Sequence, residues 1–132
     1  MSETKRIQIA LVDDDADEGS FFQIALDYLG VAHDFIFFEK AHDFVAHIEN
    51  ESVVLPDIVF VDMKMPKISG QELIRKIRDN SRFDGMQAII YTAHISEKEK
   101  EVMQSIGSFE FFIKPTEFAQ LTEMLRGVIV NS

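Results

Sequence analysis

The chain has 132 residues, of which 46% are hydrophobic, so it is long and apolar enough to fold as one domain without disulfides. The absence of cysteine excludes a disulfide framework, a thiolate zinc site and a cysteine nucleophile. With 13 basic and 23 acidic side chains the net charge is −10, which argues against broad binding to nucleic acid or to an anionic membrane.

The first half of the chain alternates short apolar runs with longer amphipathic segments. Residues 7–12 form a nearly continuous apolar run and predict a strand. Between residues 17 and 29 the apolar side chains recur on one helical face, and residues 41–48 show the same spacing, so both segments are predicted helices. Further strands are predicted over 34–38, which is aromatic and β-branched, and over the short apolar segment 57–61.

The second half continues the alternation, and capping residues mark its helix starts. Ser69 with Glu72 predicts the start of a third helix. Ser96 with Glu99 predicts the start of a fourth helix, and Thr116 is the predicted N-cap of the last one. The remaining predicted elements are strands over 88–91 and 109–113 and a helix over 118–129.

Strict alternation of strands and helices predicts an α/β fold, with a doubly wound parallel sheet of five strands flanked by five helices. No repeat or linker-like segment interrupts the pattern, so we expect one domain over residues 1–132 with its core at about 6–129. Right-handed crossovers place the C-terminal ends of all strands at one edge of the sheet, where the functional sites of such sheets form.

The residues that follow the strands are mostly acidic. They are Asp13, Asp14 and Asp15 after the first strand, Asp62 after the third, Thr92 after the fourth and Lys114 after the fifth. Converging carboxylates disfavour each other's ionisation unless a cation joins them, and Mg²⁺ takes such ligands together with phosphate oxygens. A lysine and a threonine could hold the other oxygens of a phosphoryl group. Asp62 stands alone after a central strand, so it is the predicted nucleophile that forms an acyl phosphate.

Each of these residues also has a simpler interpretation. The acidic run over 13–18 could be a solvated helix start favoured by the helix dipole. Asp62 could begin a turn, and Thr92 and Lys114 are common surface residues. Their joint placement at four strand ends favours a functional site over these interpretations.

Four segments resemble the receiver domain of bacterial two-component response regulators, of the single-domain type related to the chemotaxis regulator. They are Ile-Ala-Leu-Val-Asp-Asp-Asp at 9–15, Val-Asp-Met-Lys-Met-Pro-Lys-Ile-Ser-Gly at 61–70, Tyr-Thr-Ala at 91–93 and Phe-Phe-Ile-Lys-Pro at 111–115. The resemblance runs from about residue 6 to residue 129. It implies a flavodoxin-like fold with strand order 2-1-3-4-5.

The resemblance implies a role for each residue of the metal site. Asp62 matches the phosphoacceptor, and Asp14 matches the direct Mg²⁺ ligand, with Asp13 acting mainly through a metal-bound water. The backbone carbonyl of Lys64 matches the third protein ligand. Mn²⁺ could substitute for Mg²⁺. Gly70, with Met65 and Pro66, is expected to shape the loop after Asp62.

The resemblance also implies how the site signals and how long the signal lasts. Thr92 matches the switch hydroxyl, Lys114 the lysine that contacts the phosphoryl group, and Phe111 the switch aromatic, here without a phenolic hydroxyl. The bond between Lys114 and Pro115 is expected to be cis. Two further residues match the positions that flank the hydrolytic water. They are Lys64, two places after Asp62, and His94, two places after Thr92. Both side chains are larger than those most common at these positions in the family, which affects the expected rate of dephosphorylation.

The predicted function is a stand-alone response regulator receiver. A sensor histidine kinase or a histidine phosphotransfer protein donates a phosphoryl group to Asp62, and a downstream protein binds the face of the fourth helix, fifth strand and fifth helix. No output domain, nucleic acid or membrane is expected, and no targeting segment is visible, so the expected location is the cytoplasm. The expected chemistry is limited to its own phosphorylation and slow autodephosphorylation.

Two other functions remain open at this stage. Asp13 and Asp15 also fit the Asp-x-Asp pattern of haloacid-dehalogenase-like phosphatases, with Asp13 as nucleophile, although those enzymes need a longer chain. A scaffold that is never phosphorylated is the other alternative, but every active position is filled.

Overall fold

The computed structural model describes residues 6–65, 68–107 and 110–130 and shows alternating strands and helices. The strands are β1 (Ile7–Val12), β2 (His33–Phe38), β3 (Ile58–Val61), β4 (Gln87–Thr92) and β5 (Glu110–Ile113). The helices are α1 (Ala16–Leu29), α2 (Ala41–Glu49), α3 (Gly70–Arg78), α4 (Glu97–Ile106) and α5 (Phe118–Val130), with a 3₁₀ turn at Ser81–Phe83. Pro66 and Phe109, which belong to a predicted loop and a predicted strand, lie outside the described residues.

The five strands form one parallel sheet in the order β2-β1-β3-β4-β5, which confirms the predicted fold class. In the register of the sheet, Val12 lies beside both Phe38 and Val61, and Thr92 lies beside Ile113. The C-terminal ends of β2, β1 and β3 are therefore level, and those of β4 and β5 are level with each other but two residues further along, because Val61 lies beside Ile90. The residues that end or follow the strands meet at this one edge.

Two apolar cores lie on opposite faces of the sheet, as the alternation of side chains along a strand requires. Ile9 and Leu11 of β1 join α1 and α5 in one core, while Ala10 and Val12 join α2, α3 and α4 in the other. All four residues of the central strand β3 are buried. No helix in the part of the chain that the structure describes is long and apolar enough to span a membrane.

The capping residues define where two helices begin. Ser96 and Glu99 form the predicted capping box at α4, each side chain bonding the other's backbone N–H at 3.1 and 2.9 Å. At α3, Ser69 Oγ accepts from the Glu72 N–H at 3.2 Å, while the Glu72 carboxylate accepts from the Ser69 hydroxyl at 3.4 Å. Ser69 is therefore the N-cap, as predicted.

Three local predictions are wrong. β3 begins at Ile58, one residue after Asp57, although the Asp57 backbone already donates to Gln8 O at 2.7 Å and accepts from the Gln87 N–H at 2.9 Å. The first helical bond of α5 runs from Leu121 N to Glu117 O, so the N-cap is Glu117 and not Thr116. The bond before Pro115 is trans, as are the other peptide bonds of the described residues, and trans is the lower-energy isomer by about 0.5–1 kcal/mol.

Gly70 lies against the backbone that carries Asp62. A Cβ at this position would come within 2.8 Å of Met63 Cα and would also overlap the Asp62 carbonyl oxygen. Gly70→Ala is therefore expected to lower the free energy of unfolding by about 1–3 kcal/mol in urea denaturation. The matched control is Gly127→Ala in α5, where a Cβ meets open space and should stabilise the helix by about 0.5–1 kcal/mol. Equal effects of the two changes would contradict the close approach.

Candidate functional site

Three polar side chains lie buried at the C-terminal edge of the sheet. Asp13 is fully buried, and Asp62 and Thr92 are 5% and 2% exposed. Each belongs to, or directly follows, an apolar strand whose side chains enclose it. Polar groups at this depth need partners, because burial without them is unfavourable.

Lys114 is the cation that the two carboxylates share. Its ammonium Nζ lies 2.6 Å from Asp13 Oδ2 and 3.4 Å from Asp62 Oδ2. Asp13 Oδ2 is fully buried, and its contact with Lys114 is an ion pair rather than an aligned hydrogen bond. The other Asp13 oxygen accepts from the backbone N–H of Asp15 at 3.0 Å. Both oxygens of Asp13 are therefore engaged by the protein.

The second oxygen of Asp62 faces two donors. Oδ1 accepts from the backbone N–H of Lys64 and from the Thr92 hydroxyl, both at 3.2 Å. Thr92 Oγ1 is also 3.3 Å from the carbonyl oxygen of His94. The Asp62 carboxylate thus lies among an ammonium, a hydroxyl and an amide N–H, all donors suited to anionic oxygens.

Burial and neighbouring groups act in opposite directions on the pKa values of Asp13 and Lys114. Burial raises the pKa of Asp13 to about 6, although the Lys114 ammonium and the Asp15 N–H act in the opposite direction. For Lys114, burial lowers the pKa, but the bond to Asp13 and the charges of Asp13 and Asp62 outweigh it, so the pKa is raised overall. The ammonium is therefore stabilised by its neighbours, while Asp13 is ionised at a cost that a further cation would reduce.

Asp14 completes a set of three carboxylates suited to a metal ion. Oxygens of Asp13, Asp14 and Asp62 lie within 4.8 Å of one another, and Asp14 is the exposed member. Hard divalent cations such as Mg²⁺ prefer carboxylate oxygens and retain several waters, which an exposed ligand permits. The donor set therefore fits the predicted ion.

Glu18 and Tyr91, to which the sequence assigned no role, also belong to this region. Tyr91 is fully buried, and its hydroxyl donates to Glu18 Oε2 at 3.3 Å. The Lys114 ammonium lies 5.9 Å from the centre of the Tyr91 ring. Burial raises the pKa of Glu18, with smaller opposing effects from Lys114 and Tyr91. Glu18 lies in the first turn of α1, at the end of the acidic run 13–18, and that run was the available signal.

The remaining predicted residues surround the site. Lys64 and His94 have exposed side chains near Glu99, whose pKa is lowered mainly by the Ser96 N–H and to a lesser degree by those two side chains. Phe111 is partly buried and packs against the core formed with α2, α3 and α4. The structure thus brings together Asp13, Asp14, Asp62, Thr92 and Lys114, as the sequence predicted.

Comparison with known proteins identifies the family. The model of the response regulator receiver domain matches residues 9–126. The transcriptional regulatory protein TrcR of Mycobacterium tuberculosis is 27% identical over 126 residues, which cover 96% of this chain and 46% of TrcR. The chain therefore spans about half the length of this curated relative.

Solved structures show the same fold. The phosphorylated cyanobacterial phytochrome response regulator RcpA matches with a TM-score of 0.84 and 20% identity, over 94% of this chain and 91% of RcpA. The Mn²⁺-bound form of the response regulator Rcp1 matches with a TM-score of 0.80 and 20% identity, over 92% and 91%. Because the family model covers nearly the whole chain and the sheet order agrees, this chain belongs to the receiver domain family of two-component response regulators.

Proposed function

We propose that Asp62 accepts a phosphoryl group from a phosphohistidine and that the modified domain then changes its contacts with other proteins. In this transfer the P–N bond of the donor breaks and a bond forms between phosphorus and an Asp62 oxygen. The observation that carries the proposal is the set of donors around Asp62, namely Lys114, Thr92 and the Lys64 N–H. These groups can donate to the phosphoryl oxygens instead of the carboxylate oxygens without a rearrangement of the site.

The geometry also favours Asp62 over Asp13 as the nucleophile. Asp13 is fully buried, one of its oxygens is paired with Lys114 at 2.6 Å, and the other accepts the Asp15 N–H. An attacking oxygen at Asp13 would have to give up one of these partners inside the protein. The oxygens of Asp62 also have partners, but these lie 3.2–3.4 Å away and Asp62 is 5% exposed, so its oxygens are less tightly held and easier to reach. This supports the receiver over a phosphatase that uses Asp13.

Asp13, Asp14 and Asp62 would hold a divalent ion, with the backbone carbonyl of Lys64 proposed as a further ligand. The solved structure of Rcp1 in a Mn²⁺-bound form supports a site for such ions in this fold. When bound, the ion supplies positive charge that offsets repulsion between the carboxylates and the incoming phosphate oxygens. Asp13 and Asp14 would hold that charge beside Asp62, and the Lys114 ammonium, 3.4 Å from Asp62 Oδ2, would add its own.

The proposed signal passes from Thr92 and Phe111 to the face formed by α4, β5 and α5. Receiver domains interact with histidine kinases and with downstream partners, so a sensor kinase or a phosphotransfer protein is the proposed donor. Thr92 would turn its hydroxyl from Asp62 to the phosphoryl group, and Phe111 would repack. Action without an output domain, and in the cytoplasm, stays a prediction from the sequence.

Mapping the acceptor tests the proposal directly. The protein is incubated with Mg²⁺ and acetyl phosphate labelled with ³²P, and the labelled peptide is identified after proteolysis. We expect the label on the peptide that contains Asp62 and no label when EDTA removes the metal. Label on the peptide that contains Asp13 would instead support the phosphatase.

Asp14→Asn tests the metal site. Mg²⁺ that binds only the folded state stabilises it by mass action, by about 2.7 kcal/mol at one hundred times the dissociation constant. We expect this stabilisation to be largely lost in Asp14→Asn, because an exposed charged ligand is replaced by a neutral amide. The measurement is the melting temperature with and without Mg²⁺. Asp17→Asn, also exposed and on the same segment, makes the same charge change and should respond like the parent.

A further inference from the structure

We propose that Glu18, held in place by Tyr91, is a positioning residue that sets the balance between cation and anion binding at the Asp62 site. The proposal rests on the proposed function and adds a pair of residues to it. Glu18 lies outside the carboxylate set of Asp13, Asp14 and Asp62, so it acts through its charge rather than as a metal ligand.

The Tyr91 ring is fixed by its neighbours. It is fully buried and packs edge-on against Phe22 and Phe60, with ring centres 5.1 and 6.0 Å away. The hydroxyl is therefore held in one place, and the partner it finds there is Glu18 Oε2 at 3.3 Å. A buried phenol needs such an acceptor, so the contact in turn holds the Glu18 carboxylate near the site.

The same ring brings Glu18 close to the phosphoacceptor. The Lys114 ammonium lies 5.9 Å from the centre of the Tyr91 ring and 3.4 Å from Asp62. Glu18 and Lys114 thus contact one aromatic side chain, in the same partly dehydrated region. In agreement with this closeness, the negative charge of Glu18 contributes to the raised pKa of Lys114.

A negative charge in this place has opposite effects on the two species that must bind. It attracts a divalent cation and repels an anionic phosphodonor. Removing one unit charge at several ångströms from a partly buried site should change each affinity about threefold to tenfold, in opposite directions. A general disturbance of the fold would weaken both affinities.

The experiment compares Glu18→Gln, Tyr91→Phe and Asp17→Asn with the parent at pH 8. The dissociation constant of Mg²⁺ is measured by calorimetry without phosphodonor, and the acetyl phosphate concentration that gives half-maximal labelling of Asp62 is measured at saturating Mg²⁺. In Glu18→Gln we expect the dissociation constant of Mg²⁺ to rise and the half-maximal acetyl phosphate concentration to fall, each at least threefold. Tyr91→Phe keeps the ring but frees Glu18 to turn to solvent, so it should show the same directions with smaller changes.

Asp17→Asn, the exposed neighbour with the same charge change, should alter neither quantity by more than about twofold. The inference is overturned if both quantities rise in Glu18→Gln, if neither changes, or if Asp17→Asn has an equal effect. Circular dichroism establishes that each variant is folded, and Tyr91→Phe provides a second test if Glu18→Gln does not fold. If the parent itself is not labelled at Asp62, the proposed function fails and this inference fails with it. A labelled parent without opposite shifts overturns only this inference.

Discussion

Asp62→Asn is expected to abolish phosphoryl transfer to the protein from acetyl phosphate. The amide oxygen of Asn can still accept from the Lys64 N–H and the Thr92 hydroxyl, which contact Asp62 at 3.2 Å, so the fold should persist. The amide lacks the anionic oxygen that forms the acyl phosphate. We expect labelling to fall at least a hundredfold, measured as the mass increase of the intact protein with time.

Asp84→Asn is the matched control, because Asp84 is exposed and follows the 3₁₀ turn at Ser81–Phe83. It should be labelled at the rate of the parent. Undiminished labelling of Asp62→Asn would contradict the central proposal and direct attention to the other buried carboxylate, Asp13.

The lifetime of the phosphorylated protein is expected to shorten when Lys64 or His94 is replaced by alanine. Hydrolysis needs a water in line with the bond between Asp62 and phosphorus. The Lys64 N–H donates to Asp62 Oδ1. The His94 carbonyl lies 3.3 Å from Thr92 Oγ1, which itself donates to Asp62 Oδ1. The backbone of both residues is therefore close to the phosphoacceptor, and both carry bulky side chains. Each obstruction is expected to slow hydrolysis by about tenfold, equivalent to about 1.4 kcal/mol.

The measurement is the decay of phosphorylated protein in excess Mg²⁺ for the two single variants and the double variant. Lys98→Ala, an exposed lysine of α4, is the control and should decay like the parent. Slower decay in Lys64→Ala or His94→Ala would show that these side chains assist hydrolysis by stabilising charge in the transition state. We favour obstruction because that transition state is loose and develops little new charge beyond what Lys114 and Mg²⁺ already meet.

The residues that meet at the C-terminal edge of the sheet could be predicted from the sequence, because chain order and parallel pairing alone place the strand ends there. Once Asp13, Asp62, Thr92 and Lys114 were each placed after a strand, topology required them to meet. What could not be predicted is how close the Lys114 ammonium lies to each of the two aspartates, 2.6 Å from Asp13 and 3.4 Å from Asp62. These distances depend on side-chain conformation and on burial, which cannot be read from the order of residues in the chain.

The contact between Glu18 and Tyr91 was missed for a related reason. Tyr91 fits a buried strand by its apolar ring, so nothing in the pattern of β4 reveals that its hydroxyl points to α1. The partners are 73 residues apart in the chain, and only the packed structure shows that they meet. The errors at Asp57 and Thr116 are of another kind, because in each case an element boundary differs from the prediction by one residue, which is the least predictable part of an element.

The five helices are anchored to the sheet with unequal strength. Within α4, Met103 is the one fully buried residue, whereas α1, α3 and α5 each bury four. Burying one such side chain contributes only about 1.5–3 kcal/mol, so local unfolding of α4 should cost less free energy than that of the helices that bury four residues. Its backbone amides would then exchange with solvent before those of α1, α3 and α5, so α4 is the part of the face formed by α4, β5 and α5 that opens most readily.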